Sequence, residues 1–178
     1  MKLLLSLFAF MFYNLLVTAC LSNEWIEDTW VIDHQETDYT IASVNGKITH
    51  GDRLRVRFTK NNCSVGNLFT TVYTMADNPN LAEVSEQFTS ATFMDQEIVA
   101  KILFVMPFLN GHTMWIDLGW IPKEELIKIL LQDDEIFLQF KDDKDFKVTD
   151  YMDISENYWK TNNLREALEE ASDLCSAL

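Results

Sequence analysis

Between Arg53 and Lys60 the chain reads RLRVRFTK, with Leu54, Val56 and Phe58 at every second place and Arg53, Arg55 and Arg57 between them. Successive side chains of a strand point to opposite faces, so this period of two predicts a strand with one buried face and one cationic face. Upstream, DYTIASV alternates in the same way and meets Asn45-Gly46, a dipeptide suited to the positive φ of a type I′ hairpin turn. KITH and a second turn at Gly51-Asp52 follow. Downstream, NNCSVGN reads as a polar turn, LFTTVYT as a strand rich in β-branched and aromatic residues, and MADNPN as a break. SEQFTSATF, the long apolar EIVAKILFVMPF ending near Pro107, and TMWIDLGW, reached through LNGH, continue the series. EIFLQF and FKVTDYM read as two more strands joined by the charged turn KDDKD.

Two segments change the period. After Pro122, a natural first helical position, KEELIKILL sets Leu126, Ile127, Leu130 and Leu131 on one side of a short helix. Near the C-terminus, Leu164, Ala167, Leu168, Ala171, Leu174 and Cys175 form one helical stripe. Asn163, with Glu166 three places on, reads as an Asn-started capping box. Roughly eight or nine turn-connected strands with these two helices predict a mainly β chain with helices (α+β). The expected architecture is an antiparallel β-sandwich or open barrel with a short helix and a C-terminal helix packed on it.

The first 19 residues follow neither period. Lys2 is their one charge, and Leu3 to Val17 is apolar except for Ser6 and Asn14. That run has the length of a signal-peptide core and is short for a bilayer span. Val17-Thr18-Ala19-Cys20 resembles the bacterial lipobox, in which cleavage falls before a cysteine that is first diacylated. The resemblance implies lipidation of Cys20. Ordinary signal cleavage at the same small residues, or a retained anchor, are the alternatives. Residues 1–19 are thus expected to be a signal peptide, 20–30 the lipidated cysteine and a tether, and 31–178 a single β-rich domain.

Cysteine number bears on the same choice. An odd count of three in a secreted chain leaves one thiol unpaired. If Cys20 carries lipid, Cys63 and Cys175 are free to pair in an oxidising compartment, and two separate buried thiols are the alternative. Such a bridge, closing a loop of more than 100 residues, would stabilise by about 4–5 kcal/mol.

Charge narrows the partners. The chain carries 14 basic and 28 acidic residues, a formal charge of −14. Nucleic acid is not an expected partner, and anionic lipid would not attract the domain. Membrane attachment would have to come through acyl chains on Cys20. No Asp stands at the second position after cleavage, which points to the outer membrane rather than inner-membrane retention.

Candidate chemistry is thin. His34, His50 and His112 have no metal-ligand spacing, the GxSxG elbow is absent, and KDDKD lacks the spacing of a calcium loop. No catalytic residue, metal or cofactor is therefore expected. Trp115 and Trp120, five residues apart, are expected on opposite faces of one strand, with one of them in the core. Arg53, Arg55 and Arg57 are the candidate partner-binding row, and cross-strand carboxylates are their plainer explanation. The order of apolar strand, turn, WIDLGW and terminal NNLREAL over residues 97 to 170 is similar to the invasion-associated locus B family of secreted β-rich proteins, whose cysteine pattern is missing here.

The expectation is a lipid-anchored binding or assembly protein of a bacterial cell envelope, presenting a sheet face to a protein partner. An inhibitor or exclusion factor of bacterial, phage or plasmid origin is the alternative. An envelope hydrolase or a freely secreted protein stand further off.

Overall fold

A computed structural model describes residues 28–178 apart from residues 50, 79 and 145. Cys20 and most of the tether lie outside the described residues. Among these, nine strands form one antiparallel sheet: β1 (Val31–Gln35), β2 (Tyr39–Asn45), β3 (Arg53–Thr59), β4 (Asn62–Thr74), β5 (Phe88–Phe93), β6 (Gln96–Phe108), β7 (Gly111–Pro122), β8 (Glu135–Lys141) and β9 (Glu156–Lys160). Their spatial order is β1-β2-β3-β4-β7-β6-β5-β8-β9. Two helices complete the chain, α1 (Lys123–Leu130) and α2 (Leu164–Ser176). No helix among the described residues is long and apolar enough to cross a membrane.

Strand parity decides where the core sits. Leu54, Val56 and Phe58 of β3 are fully buried on the inner face, with Ala42, Leu68, Ile102, Met114, Ile116, Ile136 and Leu138 from other strands. The helices close over that face: α2 lies against β1 to β4, and α1 against β4, β7 and α2. Leu164, Ala167, Leu168, Ala171 and Cys175 are buried, as the stripe predicts. Cys175 is joined to Cys63 by a disulfide, with Cα atoms 5.7 Å apart. Thr40 Oγ1 donates to the Ala171 carbonyl at 2.6 Å, and Ser172 Oγ to the Cys63 carbonyl at 2.8 Å. The helix is thus held by packing, hydrogen bonds and a covalent bridge.

The sheet is open, but it curls until its two ends touch. Trp30 N donates to the Asn162 carbonyl (2.9 Å), and Trp30 Nε1 to the Lys160 carbonyl (3.0 Å). Thr29 and Asn162 form an isolated parallel bridge. The loop after β2 reaches the same seam: Lys47 N donates to the Tyr158 carbonyl, and Trp159 Nε1 to the Asp52 carbonyl. This is the open barrel of the two expected arrangements.

Several local expectations are corrected. Trp30, assigned by sequence to the tether, is fully buried, so the folded body already includes Thr29 and Trp30. Asn45-Gly46 is not a two-residue hairpin, because β2 and β3 pair only as far as Asn45 with Arg53, leaving residues 46–52 as the loop. A Cβ at Gly46 would lie 2.7 Å from the Asp52 carbonyl oxygen, so glycine serves a close approach there. Lys47, Ile48 and Thr49 of KITH are part of that loop, and FKVTDYM turns through a 3₁₀ segment at Val148–Asp150. Phe146, Val148 and Met152 are nonetheless buried, which is what imitated a strand. Strands β1 and β9 replace them. Asn163 adopts φ 59° and makes no side-chain cap; its Nδ2 donates instead to the Trp30 carbonyl at 3.1 Å. Pro122 ends β7 rather than beginning the helix.

Candidate functional site

The outer face of β3 carries the three arginines, and neighbouring strands fix their surroundings by register. Arg53, Arg55 and Arg57 stand opposite Asn45, Ser43 and Ile41 of β2, and opposite Thr71, Phe69 and Asn67 of β4. Those β4 residues in turn face Trp115, Asp117 and Trp120 of β7. The expected placing of Trp115 and Trp120 on opposite faces is wrong. A bulge at Leu118 pairs Leu68 with Gly119 and Phe69 with Asp117, which restores the parity. Gly119 takes φ 121°, a conformation that a side chain would strain. Both tryptophans therefore share the arginine face.

The row is answered unevenly. Asp33 of β1 accepts from Arg53 Nη1 at 2.7 Å and lies 3.5 Å from Arg55 Nε. Arg53 Nε also donates to Asn45 Oδ1, and Arg55 Nη1 to Thr71 Oγ1 at 2.6 Å. Burial pulls the pKa of Arg55 below its ordinary value, and the charge of Asp33 counters that pull. No carboxylate stands directly across from the row on β2 or β4; the one that answers it comes from β1, two strands away, and serves two arginines. Among the described residues, Arg57 has no carboxylate partner. Its Nη2 donates to Asn67 Oδ1 (3.0 Å), whose Nδ2 donates to Asp117 Oδ1 (2.6 Å).

Aromatic rings supply the rest of the environment. Phe69 is buried beneath the row, with Arg55 and Arg57 above its ring, at 6.0 and 5.9 Å. Arg55 also lies 5.3 Å from the Trp115 ring, and Arg57 5.8 Å from Trp120. Trp115 stacks between Phe69 and Phe104, at 5.6 and 5.3 Å. Each cation–ring contact contributes about 0.5–2 kcal/mol according to its desolvation. The guanidinium groups are therefore held in place between planar rings.

The band continues outward along β6. Phe104, Met106 and Phe108 there are between 41% and 53% exposed, Leu109 at the β6–β7 turn is 84% exposed, and Trp120, toward the far end of β7, is 48% exposed. Phe104, Met106 and Phe108 alternate along one strand face, and neighbouring exposed apolar side chains mark an interaction site more often than singly scattered ones do. Between the band and the arginines lies an open-sided cleft of about 260 Å³, lined by Tyr39, Ile41, Arg57, Asn67, Phe69, Leu103, Phe104 and Trp115. Two donors on its walls, Arg57 Nε and Trp115 Nε1, are buried without an acceptor.

Other sequence candidates fall elsewhere. Cys63 and Cys175 form their bridge where α2 meets β4, away from this face. His34 pairs with Glu36 at the surface, His112 lies on β7, and His50 is outside the described residues. Among the described residues no three His, Cys, Asp or Glu side chains gather as metal ligands. In KDDKD, Asp142 accepts from Val148 N, while Asp143 accepts from Lys144 N and Ser90 Oγ. The last two bonds, the backbone one foremost, hold Asp143 below the usual carboxylate range. These acids shape a loop.

Sequence reasoning found the arginines but missed Asp33, Asn67, Phe69 and Phe104. Gly119 before Trp120 was the one available sign of the bulge. Comparison with known protein families, curated proteins and solved structures finds no match to this chain. The lipobox and the locus B likeness therefore stand as resemblances.

Proposed function

We propose that this protein is a non-enzymatic binding protein of a bacterial cell envelope, held at the membrane by acyl chains on Cys20. The outer face of β3, β4, β7 and β6 is its partner-recognition surface. The observation that carries this reading is the exposed row of Phe104, Met106 and Phe108 on β6, with exposed Trp120 further along β7, on the face where Arg55 and Arg57 lie against aromatic rings. Aromatic residues and arginine are the residue types enriched at interface centres, and here a rigid sheet holds their geometry before any partner arrives. The acidic composition leaves acylation as the supported route to a bilayer.

Intact mass of the mature protein tests the anchor. Acylation at Cys20 adds the mass of fatty chains, and an unmodified terminus would refute it. Crosslinking in envelope fractions tests the face. A protein captured by the native chain should be lost by a Trp120→Ala, Phe108→Ser double variant and by the Arg53, Arg55 and Arg57 to Glu triple variant. Undiminished capture of the same protein by both variants would remove this surface from consideration.

A further inference from the structure

Resting on that reading of the face, we propose that the cleft beside Arg57 is a carboxylate pocket. Its occupant is an acidic group carried on an apolar or aromatic residue of the bound partner.

Arg57 is the starting point. In a chain of charge −14, Asp33 answers Arg53 and Arg55, and Glu169 lies near Arg165. Among the described residues Arg57 is left with one neutral acceptor, Asn67 Oδ1, and its Nε has none. A buried donor without an acceptor is costly, and most such groups in folded proteins find a partner. Trp115 Nε1 lacks one in the same cleft. Two unsatisfied donors on residues that line one opening describe a site short of acceptors. Both atoms are shut from solvent, so an occupant has to turn these side chains on the fixed backbone to reach them.

The walls select which acceptor. A guanidinium fork matches a planar carboxylate in two parallel hydrogen bonds. One unpaired guanidinium balances one negative charge. A phosphate dianion would meet no second free cation on these walls, and Asp117 stands behind Asn67. The remaining walls are Tyr39, Ile41, Phe69, Phe104 and Trp115. They favour an apolar or aromatic body on the group that brings the acid. A volume of about 260 Å³ is below the ~300–1,000 Å³ of typical small-molecule pockets and suits a single residue.

The test uses the mature, disulfide-bonded protein and N-acetyl-phenylalanine, followed by tryptophan fluorescence and calorimetry. The free acid should bind at least about tenfold more tightly than its amide, and than inorganic phosphate, the loss expected when a charged hydrogen bond is removed. Acetyl-Asp-Phe-amide, which carries the acid on a side chain, separates an internal acidic residue from a chain terminus as the source; binding of either acid supports the pocket. Arg57→Gln should abolish the preference of acid over amide, and Arg57→Lys should retain part of it. Each variant is checked by its thermal midpoint. Equal binding of acid and amide, phosphate binding as tightly as the acids, or no binding of either acid would each overturn the pocket. Should the acids fail while Trp120→Ala, Phe108→Ser still abolishes partner capture, the pocket falls and the docking face stands.

Discussion

Replacing Asp52 by asparagine should change how the stability of this protein responds to pH. Asp52 closes the loop between β2 and β3 beneath the seam where the sheet ends meet. Its Oδ1 accepts from Tyr73 N at 2.7 Å and its Oδ2 from Asn157 Nδ2 at 3.3 Å, but the side chain is buried and no cation among the described residues answers it. Burial is the dominant influence and raises its pKa from 3.8 to about 6, against the lowering effect of the hydrogen bonds. The native state therefore holds this proton to a higher pH than the unfolded chain does. A state that binds more protons loses relative stability as pH rises, so the ionised form costs folding free energy. A shift of that size corresponds to about 3 kcal/mol once both states are ionised, of which roughly 2.4 kcal/mol develops between pH 4 and pH 7.5. Below about pH 4 the penalty is nearly gone; above about pH 6 to 7 it is complete. The amide that replaces the carboxyl cannot ionise. Urea unfolding of both proteins across that range should show Asp52→Asn gaining about 2 kcal/mol on the native protein between pH 4 and 7.5. Other carboxylates titrate equally in both chains and cancel in the difference. A difference flat within about 0.5 kcal/mol would show that Asp52 is not a buried, desolvated acid.

Glu135 should behave in the opposite sense. Hydrogen bonds from Lys160 and then Lys47 hold its carboxyl well below the usual range of 4.5, so their contribution is complete above that value and drains away as pH falls beneath it. Glu135→Gln should therefore lose stability relative to the native protein at pH 6 but not at pH 2, by urea midpoint; an equal loss at both would refute the ionic account. Changing Cys63 and Cys175 to Ser opens a loop of sequence separation 112 and should lower stability by up to about 4–5 kcal/mol, about 10–20 °C in thermal midpoint for a domain of this size. A fall of under about 3 °C would mean that α2 stays docked without help from the bridge. Gly119→Ala places a side chain at φ 121° and should cost about 1–3 kcal/mol in chemical denaturation. Because that bulge sets the parity of Trp120, the variant should also alter tryptophan emission, and an unchanged spectrum with unchanged stability would refute the role of the bulge.

Sequence pattern served best where one strand face is fully buried. Leu54, Val56 and Phe58 announced β3, and the α2 stripe announced its own burial, because repetition over several residues averages out local exceptions. Strand β1, VIDHQ, sits at the sheet edge with little burial, so no alternation marks it. Strand β9 is five residues long and is defined by pairing with β8 and by contacts across the seam, which only the tertiary fold reveals. FKVTDYM erred the other way: buried Phe146 and Val148 keep a period of two within a loop that Asp142 holds through Val148 N. The arginine row was legible as a cationic face. Its partner Asp33 comes from that unmarked β1, and its aromatic floor depends on a one-residue bulge. Fold class survives such errors because it rests on many strands, whereas a site rests on a few side chains and changes with one slip of register.

The disulfide also settles how the molecule would bear a load. The covalent loop begins at Cys63, so β1, β2 and β3 lie outside it. Tension drawn in through Thr29 would meet the Trp30–Asn162 seam first and then hydrogen-bonded strands, and would reach Arg53 to Arg57 before any cross-link could arrest it. The arginine strand is thus the last of the three that a pull from the N-terminus can peel away without meeting a cross-link, while everything from β4 onward stays looped together.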